Sequence, residues 1–477
     1  MRCTIAEVES DIFENVDERY RFMYTTLEER ARAMEVHLLT IQEKMCAFAN
    51  VPVSSLQPVG IPSQDLVWVC GRICCDATEG KINKSSIILE GSREGSAGRR
   101  VKLDLKEIPY FSLFPGQIVL VEGLCSSGRV MVARRIIEGS SLPLPTSTPA
   151  KLLEYHHTNK YQNGTALSVV TAAGPFTTSD NLDYEPLTDL LRAVLVTIKP
   201  DLLILIGPFV DISQPLLSSG HVTLNNNESE GTHEASFEMV FVEKIIRDHL
   251  NLFFQSDPDT ATTIILIPSL LDAHHEFVFP QPPFGDRDEI VTKYFDEPLG
   301  LLNVPFAVVD NKNPVKRVHM MPNPCMFRMN EVLFGVCSND LLYSLSSDEA
   351  SQIKDGVNRV ARLAGHVLEQ QSFAPQFPVP PQTLSQLDFR HSNHWRMKSH
   401  SPDVLILPSK LANTAKEVVG TLVVNPGQLS RGNGGGTFAE ISIHPIREDE
   451  LRDAILQGKE TIPHAICARS SVTIQRI

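Results

Sequence analysis

The chain has 477 residues, 43 of them Lys or Arg and 57 Asp or Glu, for a formal net charge of −14. That length exceeds one ordinary core and predicts two or three domains, and the acidic balance excludes general coating of nucleic acid, which needs a basic field. Hydrophobic residues make up 42% and charged residues 21%, as in a globular protein, and no apolar run reaches the roughly 18 residues that would predict a membrane span.

The start, MRCTIAEVESDIFENVDERY, is acidic and lacks the apolar segment of a secretory leader. The chain is therefore expected on the reducing side of the cell, with its nine cysteines as buried free thiols. Cys70, Cys74 and Cys75 lie close together but lack the second ligand pair of a zinc site. From Glu18 to about Phe48, Phe22, Met23, Leu27, Met34, Leu38 and Ile41 recur at helical spacing without Gly or Pro. Residues 1–50 are read as an N-terminal amphipathic helix, packed on a neighbour or bound to a partner.

Residues 51–140 follow a different pattern. Five β-prone runs, Leu66–Ile73, Ser86–Glu90, Arg100–Asp104, Gln117–Glu122 and Val130–Ile136, are divided by turn residues. Five strands in so short a stretch predict an OB-fold barrel. Arg93, Arg99, Arg100 and Lys102 with Trp68, Tyr110, Phe111 and Phe114 are the side chains that single-strand binding would use; a structural or docking role needs none of them on one face. Residues 139–150, GSSLPLPTSTPA, open a linker spanning 141–160. Thr148-Pro149-Ala150-Lys151 is the kind of sequence that cyclin-dependent kinases read, which makes Thr148 a candidate phosphorylation site.

Residues 161–477 alternate between the two periodicities. Leu167–Val170, Leu202–Ile206 and Thr263–Ile267 read as strands. Between them lie helices carrying Leu187, Leu190, Leu191, Val194 and Leu195, then Phe237, Phe241, Ile245 and Leu252. This β-α-β-α-β series predicts a parallel sheet. The polar stretch SSGHVTLNNNESEGTHEAS reads as a mobile surface loop, and Met326-Phe327-Arg328 with Val332–Val336 as a hairpin. Ser346 and Glu349 have capping-box spacing ahead of a helix through Val357, Val360, Leu363 and Val367. Ala374–Gln382 is a Pro-rich loop, and Val404–Leu407, Thr421–Val424 and Phe438–Ile443 complete a sheet.

Each strand tip can be inspected for chemistry. The first reads VTAAG, ending at Ala172 and Gly174. The second, LLILIGPFVD, turns at Gly207-Pro208 and retains Asp211. The third, IPSLLDAHH, carries Asp272, His274 and His275. A later segment, PSKL, holds Ser409 and Leu411 ahead of VVNPGQLSRGNGGGTFAEISI. This order of tips resembles that of calcineurin-type metallophosphoesterases, whose motifs are Asp-x-His, Gly-Asp-x-x-Asp, Gly-Asn-His-Asp/Glu and Gly-His-x-His. Two hard cations need those ligands to clamp the attacking and leaving oxygens. At the matching positions stand Ala172, Gly174, Pro208, Ser409 and Leu411, none of them a metal ligand for such a centre. Asp211, Asp272, His274 and His275 are left as a vestigial site or a partner surface. The competing reading is an active phosphoesterase with a divergent site. GNGGG lacks the Lys-Ser/Thr of a phosphate-binding loop.

Four segments, AAGPFTTSDNLDYEPLTDLL, PDLLILIGPFVD, IPSLLDAHHEFVFPQPPF and NPCMFRMNEVLFGVCSNDLLYSLSSDE, resemble the B-subunits of replicative DNA polymerases, most closely those of the polymerase alpha–primase complex. The resemblance implies a fold of α/β plus all-β type: a helix, an OB-fold barrel and an inactive calcineurin-like phosphoesterase sandwich. It implies a non-catalytic nuclear scaffold without a cofactor. That scaffold would bind the zinc-binding C-terminal region of the catalytic subunit and join it to the primase subunits, with DNA contact minor. Members of that family carry a small helical domain and a linker ahead of the first helix. Here the chain begins almost at that helix, through either a shortened form or an incomplete start.

Overall fold

The computed structural model describes residues 3–7, 22, 24–76, 81–220, 222–225, 232–258, 260–284, 307–309, 313–315, 317–379 and 387–477. The chain forms two compact units. One contains Arg21–Pro143 and Asp340–Ser401; the other contains Met1–Tyr20, Leu144–Asn339 and Pro402–Ile477. Segment 340–401, which the sequence placed with the last domain, thus clusters with the barrel.

In the first unit the strands Ser63–Cys75, Ile87–Glu90, Arg100–Asp104, Val130–Ile137 and Ile118–Cys125 close, in that order, into a barrel. The 100–104 and 130–137 strands pair in parallel and the other neighbours antiparallel. Inward residues such as Val69, Ile73, Leu89, Leu103, Val121 and Met131 fill its core. Cys70 instead joins Leu38, Ile41, Met45 and Cys46 of the helix in a separate apolar cluster, and burial pushes its thiol well above the usual range. Phe111–Leu113, missed from sequence, pairs with Ala350–Gln352.

The N-terminal helix spans Leu27–Ala49, a later start than the periodicity suggests. Tyr24–Thr26 are not helical, and Glu18–Arg21 and Met23 lie outside the described residues. The start is fixed by a reciprocal cap: the Glu29 N–H donates to Thr26 Oγ1 at 3.2 Å and the Thr26 N–H to Glu29 Oε2 at 2.8 Å. Losing both bonds of a capping box costs about 1 kcal/mol. Thr26→Ala is expected to lower unfolding stability by about that much, measured by urea titration.

The expected cap at Ser346 and Glu349 is replaced by another arrangement. Asp340 caps a helix Leu341–Asp348, Glu349 ends it, and Asn358 caps the next helix, Arg359–Glu369. Glu349 is drawn away from the local backbone because Arg362 grips it with two N–H groups, at 2.8 and 2.7 Å. A charge-assisted fork outcompetes a single cap bond.

The second unit is layered. One six-stranded sheet runs Val318–Met320, Thr263–Ile267, Leu202–Ile206, Leu167–Ala173, Thr437–Ile443, Ser470–Arg476. Its first four strands are parallel, and Thr437–Ile443 pairs antiparallel with the neighbour on each side. The other runs Ile5–Glu7, Cys325–Met329, Val332–Val336, Val404–Ile406, Thr421–Asn425, Thr414–Val418. The Leu202–Ile206 run is apolar throughout because both its faces are covered. Leu203 and Leu205 pack under the helices with Leu187, Leu190 and Ile245. Leu202, Ile204 and Ile206 meet Phe327, Phe334, Val404 and Ile406 of the second sheet.

The crossover helices start at Glu185, with Pro186 in the first turn, and at Phe237, capped by Ser236; each widens to a π register, over Val194–Ile198 and Phe241–Asn251. The stretch expected as a mobile loop contains a paired ribbon, Thr223–Asn225 with Thr232–Glu234; His221 and residues 226–231 lie outside the described residues. The hairpin Cys325–Met329/Val332–Val336 forms as expected, turning at Asn330 with φ 53°. Within the expected linker, Pro149–His157 is a helix. No helix among the described residues is long and apolar enough to cross a membrane.

Candidate functional site

Three parallel strands end at Ala173, Ile206 and Ile267, and their backbones stay paired past those ends. Gly174 N–H donates to Ile206 O and Gly207 N–H to Ile267 O, each at 2.8 Å. The tips then close on one another. A Cβ on Gly174 would lie 2.0 Å from Pro208 O, and one on Gly207 would lie 2.4 Å from Asp272 Oδ2 and 2.9 Å from Ser269 N. The backbone therefore approaches too closely for any side chain at these two positions.

Asp272 is the centre of this closure. It is buried, its Oδ1 accepts from Phe209 N at 2.6 Å and Val210 N at 3.0 Å, and its Oδ2 accepts from Ser269 N at 2.8 Å. Burial pushes its carboxyl up to about 7, against the pull of those three N–H groups. Asp211 lies beside it in a short antiparallel bridge, but its Oδ1 is turned to Ser213, accepting from N at 2.9 Å and Oγ at 2.7 Å.

The two histidines do not join the acids. His274 stacks on Phe241 and Phe284, at 4.4 and 5.3 Å between centroids. Its ring nitrogens are buried with no partner among the described residues, and burial pushes its pKa down to about 3; it behaves as an aromatic core residue. His275 Nε2 lies 2.8 Å from Pro282 O, so it carries a proton and donates, which removes that nitrogen as a ligand. The structure thus brings Asp211 and Asp272 together and directs His274 and His275 into packing. Among the described residues no three His, Cys, Asp or Glu side chains gather into a group able to hold a metal ion.

On the second sheet the equivalent work is done by Asn425, which sequence reading passed over. It is fully buried; its Oδ1 accepts from Ser409 N at 2.9 Å and Gly427 N at 3.0 Å, and its Nδ2 donates to Leu411 O and Ala412 O. The signal was present in Asn-Pro-Gly, a turn in which the Asn side chain bonds nearby backbone.

Thr148 is exposed and caps the helix Pro149–His157, its Oγ1 accepting from Lys151 N at 3.4 Å. On the barrel, Arg100, Arg134 and Arg135 are engaged by Glu90, Glu107 and Glu122, and Arg135 lies over the Trp68 ring. Of the four cations singled out in the sequence only Arg100 is in one of these pairs, and Phe111 and Phe114 are buried, which removes them as stacking platforms.

A profile of the family described as the DNA polymerase alpha/epsilon B-subunit matches residues 169–416. A second, described as the OB domain of the DNA polymerase alpha B-subunit, matches residues 33–139, the stretch that forms the barrel. The DNA polymerase alpha B-subunit of Mus musculus is 32% identical over 389 residues, covering 82% of this chain and 56% of that protein. The Schizosaccharomyces pombe protein of the same name is 32% identical over 433 residues, covering 90% and 68%. The Saccharomyces cerevisiae one is 26% identical over 500 residues, covering 96% and 65%. The chain spans 56% of the mouse relative's length and 51% of the bovine relative's. With a closed barrel where one profile falls and the layered α/β unit under most of the other, the chain belongs to the DNA polymerase alpha/epsilon B-subunit family.

Proposed function

We propose that this chain is a non-catalytic accessory subunit of the DNA polymerase alpha–primase assembly, working in the nucleus. In this reading it receives the zinc-binding C-terminal region of the catalytic subunit on its barrel and its layered unit, and so couples DNA synthesis to primase. The layered unit is read as a phosphoesterase-like sandwich that has kept its frame and lost its chemistry.

The observation that carries this is the closure of the strand tips. Where two metals would sit, Asp272 and Asn425 bind backbone N–H groups and Gly174 and Gly207 leave no room for a ligand side chain. Such a surface is rigid, which suits docking, and the net charge of −14 suits a protein partner better than a nucleic-acid backbone.

Co-expression with the C-terminal region of a polymerase alpha catalytic subunit is expected to give a stable one-to-one complex on size exclusion. A chain that elutes alone in the presence of that region would sink the reading. Turnover of a chromogenic phosphodiester by the purified chain, dependent on added manganese, would restore the enzymatic alternative.

A further inference from the structure

The barrel-bearing unit holds a second feature that the docking role does not use: a knot of cations in which, among the described residues, no carboxylate bonds to Arg72, Arg396 or Lys44. Arg72, on the barrel strand Ser63–Cys75, is 8% exposed. Its Nη2 donates to Met34 O at 3.0 Å, and Nη2 of Arg396 donates to Ala33 O at 2.5 Å. Ala33 and Met34 are consecutive on the helix Leu27–Ala49, so the two guanidinium groups stand side by side on one turn. Lys44, farther along that helix, donates from Nζ to Gln371 Oε1 at 2.6 Å. The three cations converge on His37: burial first, then Arg396, Arg72 and Lys44, hold its pKa well below the ordinary histidine range.

Buried guanidinium groups are ordinarily matched by carboxylates. Among the described residues the nearby acids are engaged elsewhere. Glu35 and Glu90 are within range of Arg72. But Glu35 accepts the N–H groups of Arg93 and Glu94, both at 3.1 Å, and Glu90 is paired with Arg100 at 2.5 Å. For Arg396 the charged neighbour is Arg72, which repels it. Arg396 Nε is buried with no hydrogen-bond partner among the described residues.

We infer that Arg72, Arg396 and Lys44 form a site for an oxyanion, a carboxylate or phosphate group bound against the helix Leu27–Ala49. Two adjacent guanidinium forks offer the planar donors that such a group accepts. Lys44 adds a compact charge at the half-buried rim, where the ligand enters. The bound anion converts mutual repulsion of the two arginines into shared charge-assisted bonds, and the free Nε of Arg396 gains a partner.

The test is isothermal titration of the full chain at fixed ionic strength, with chloride as background anion. The probes are inorganic phosphate and, separately, a Glu-rich peptide. Saturable binding of either probe is expected, weakened roughly tenfold or more in Arg396→Gln and in Lys44→Gln. Lys44 is the more exposed of the two and carries the test if the Arg396 variant does not fold. Binding of phosphate alone assigns the group to a phosphate source, and binding of the peptide to a carboxylate carried on protein. No saturable binding of either probe, or binding unchanged in both variants, overturns the site.

Discussion

Asp272→Ala is expected to destabilise the layered unit by about 3–5 kcal/mol, read as a lowered urea midpoint with an unchanged slope. The change removes an acceptor from three backbone N–H groups, of Phe209, Val210 and Ser269. All three lie in loops that leave the sheet at its C-terminal edge, and the void left by a methyl group is hemmed in by Gly207. A buried N–H without a partner costs about 1–3 kcal/mol, so three of them account for the size of the effect. Asp272→Asn retains one carbonyl oxygen and turns an NH2 toward donors, so its loss falls between wild type and Asp272→Ala. If Asp272 were a surviving catalytic group, both variants would fold with near wild-type stability and lose only activity. A loss below about 1 kcal/mol for Asp272→Ala would therefore remove the structural account.

The same geometry limits which side chains these tips accept. In Gly174→His the added Cβ meets Pro208 O at 2.0 Å. The tips would have to separate first, which breaks the bond from Gly174 N to Ile206 O.

Much of this was legible in the residues. Leu202–Ile206 read as a buried parallel strand because nothing polar interrupts it, and the barrel strands announced themselves as short β-prone runs divided by turn residues. The roles of Asp272 and Asn425 were not legible, because both act on backbone groups that only the fold brings within reach. The pair His274-His275 next to an acid was left as a vestigial site or a partner surface. The aromatic surface that captures His274 comes from Phe241 and Phe284, and local spacing carries no trace of it. Glu349 failed for a similar reason: its partners Arg362 and His366 lie 13 and 17 residues away, and a side-chain fork overrode a cap motif. The helix Pro149–His157 was hidden by composition, although Thr148-Pro149 is a capping residue followed by Pro at the first helical position, a start signal in its own right.

The second large effect concerns Glu331, a buried carboxylate that ties three segments of the layered unit together. Its Oε1 accepts from Arg469 Nη2 at 2.6 Å and meets His156 Nε2 at 2.8 Å. Because the Ile446 N–H donates to His156 Nδ1 at 3.1 Å, the imidazole proton is on Nε2 and His156 donates to Glu331. Burial works against the charged carboxylate, but His156 and Arg469 outweigh it and hold Glu331 down to about 2. A pKa depressed on folding contributes stability that is present above the unfolded value, near 4.3, and is lost as pH falls through about 2. The pH window is thus the acid limb, and the contribution is roughly 3 kcal/mol at neutral pH. Glu331→Ala is expected to remove about 3–5 kcal/mol, since it leaves Arg469 buried without its carboxylate. Glu331→Gln keeps an acceptor and is expected to lose less, but it removes this group's share of the pH dependence. Urea midpoints of wild type and Glu331→Gln, measured from pH 7 down to 2, should therefore be far apart at neutral pH and converge toward the acid end. Parallel curves would show that Glu331 is protonated in the folded protein and that Arg469 is balanced in some other way.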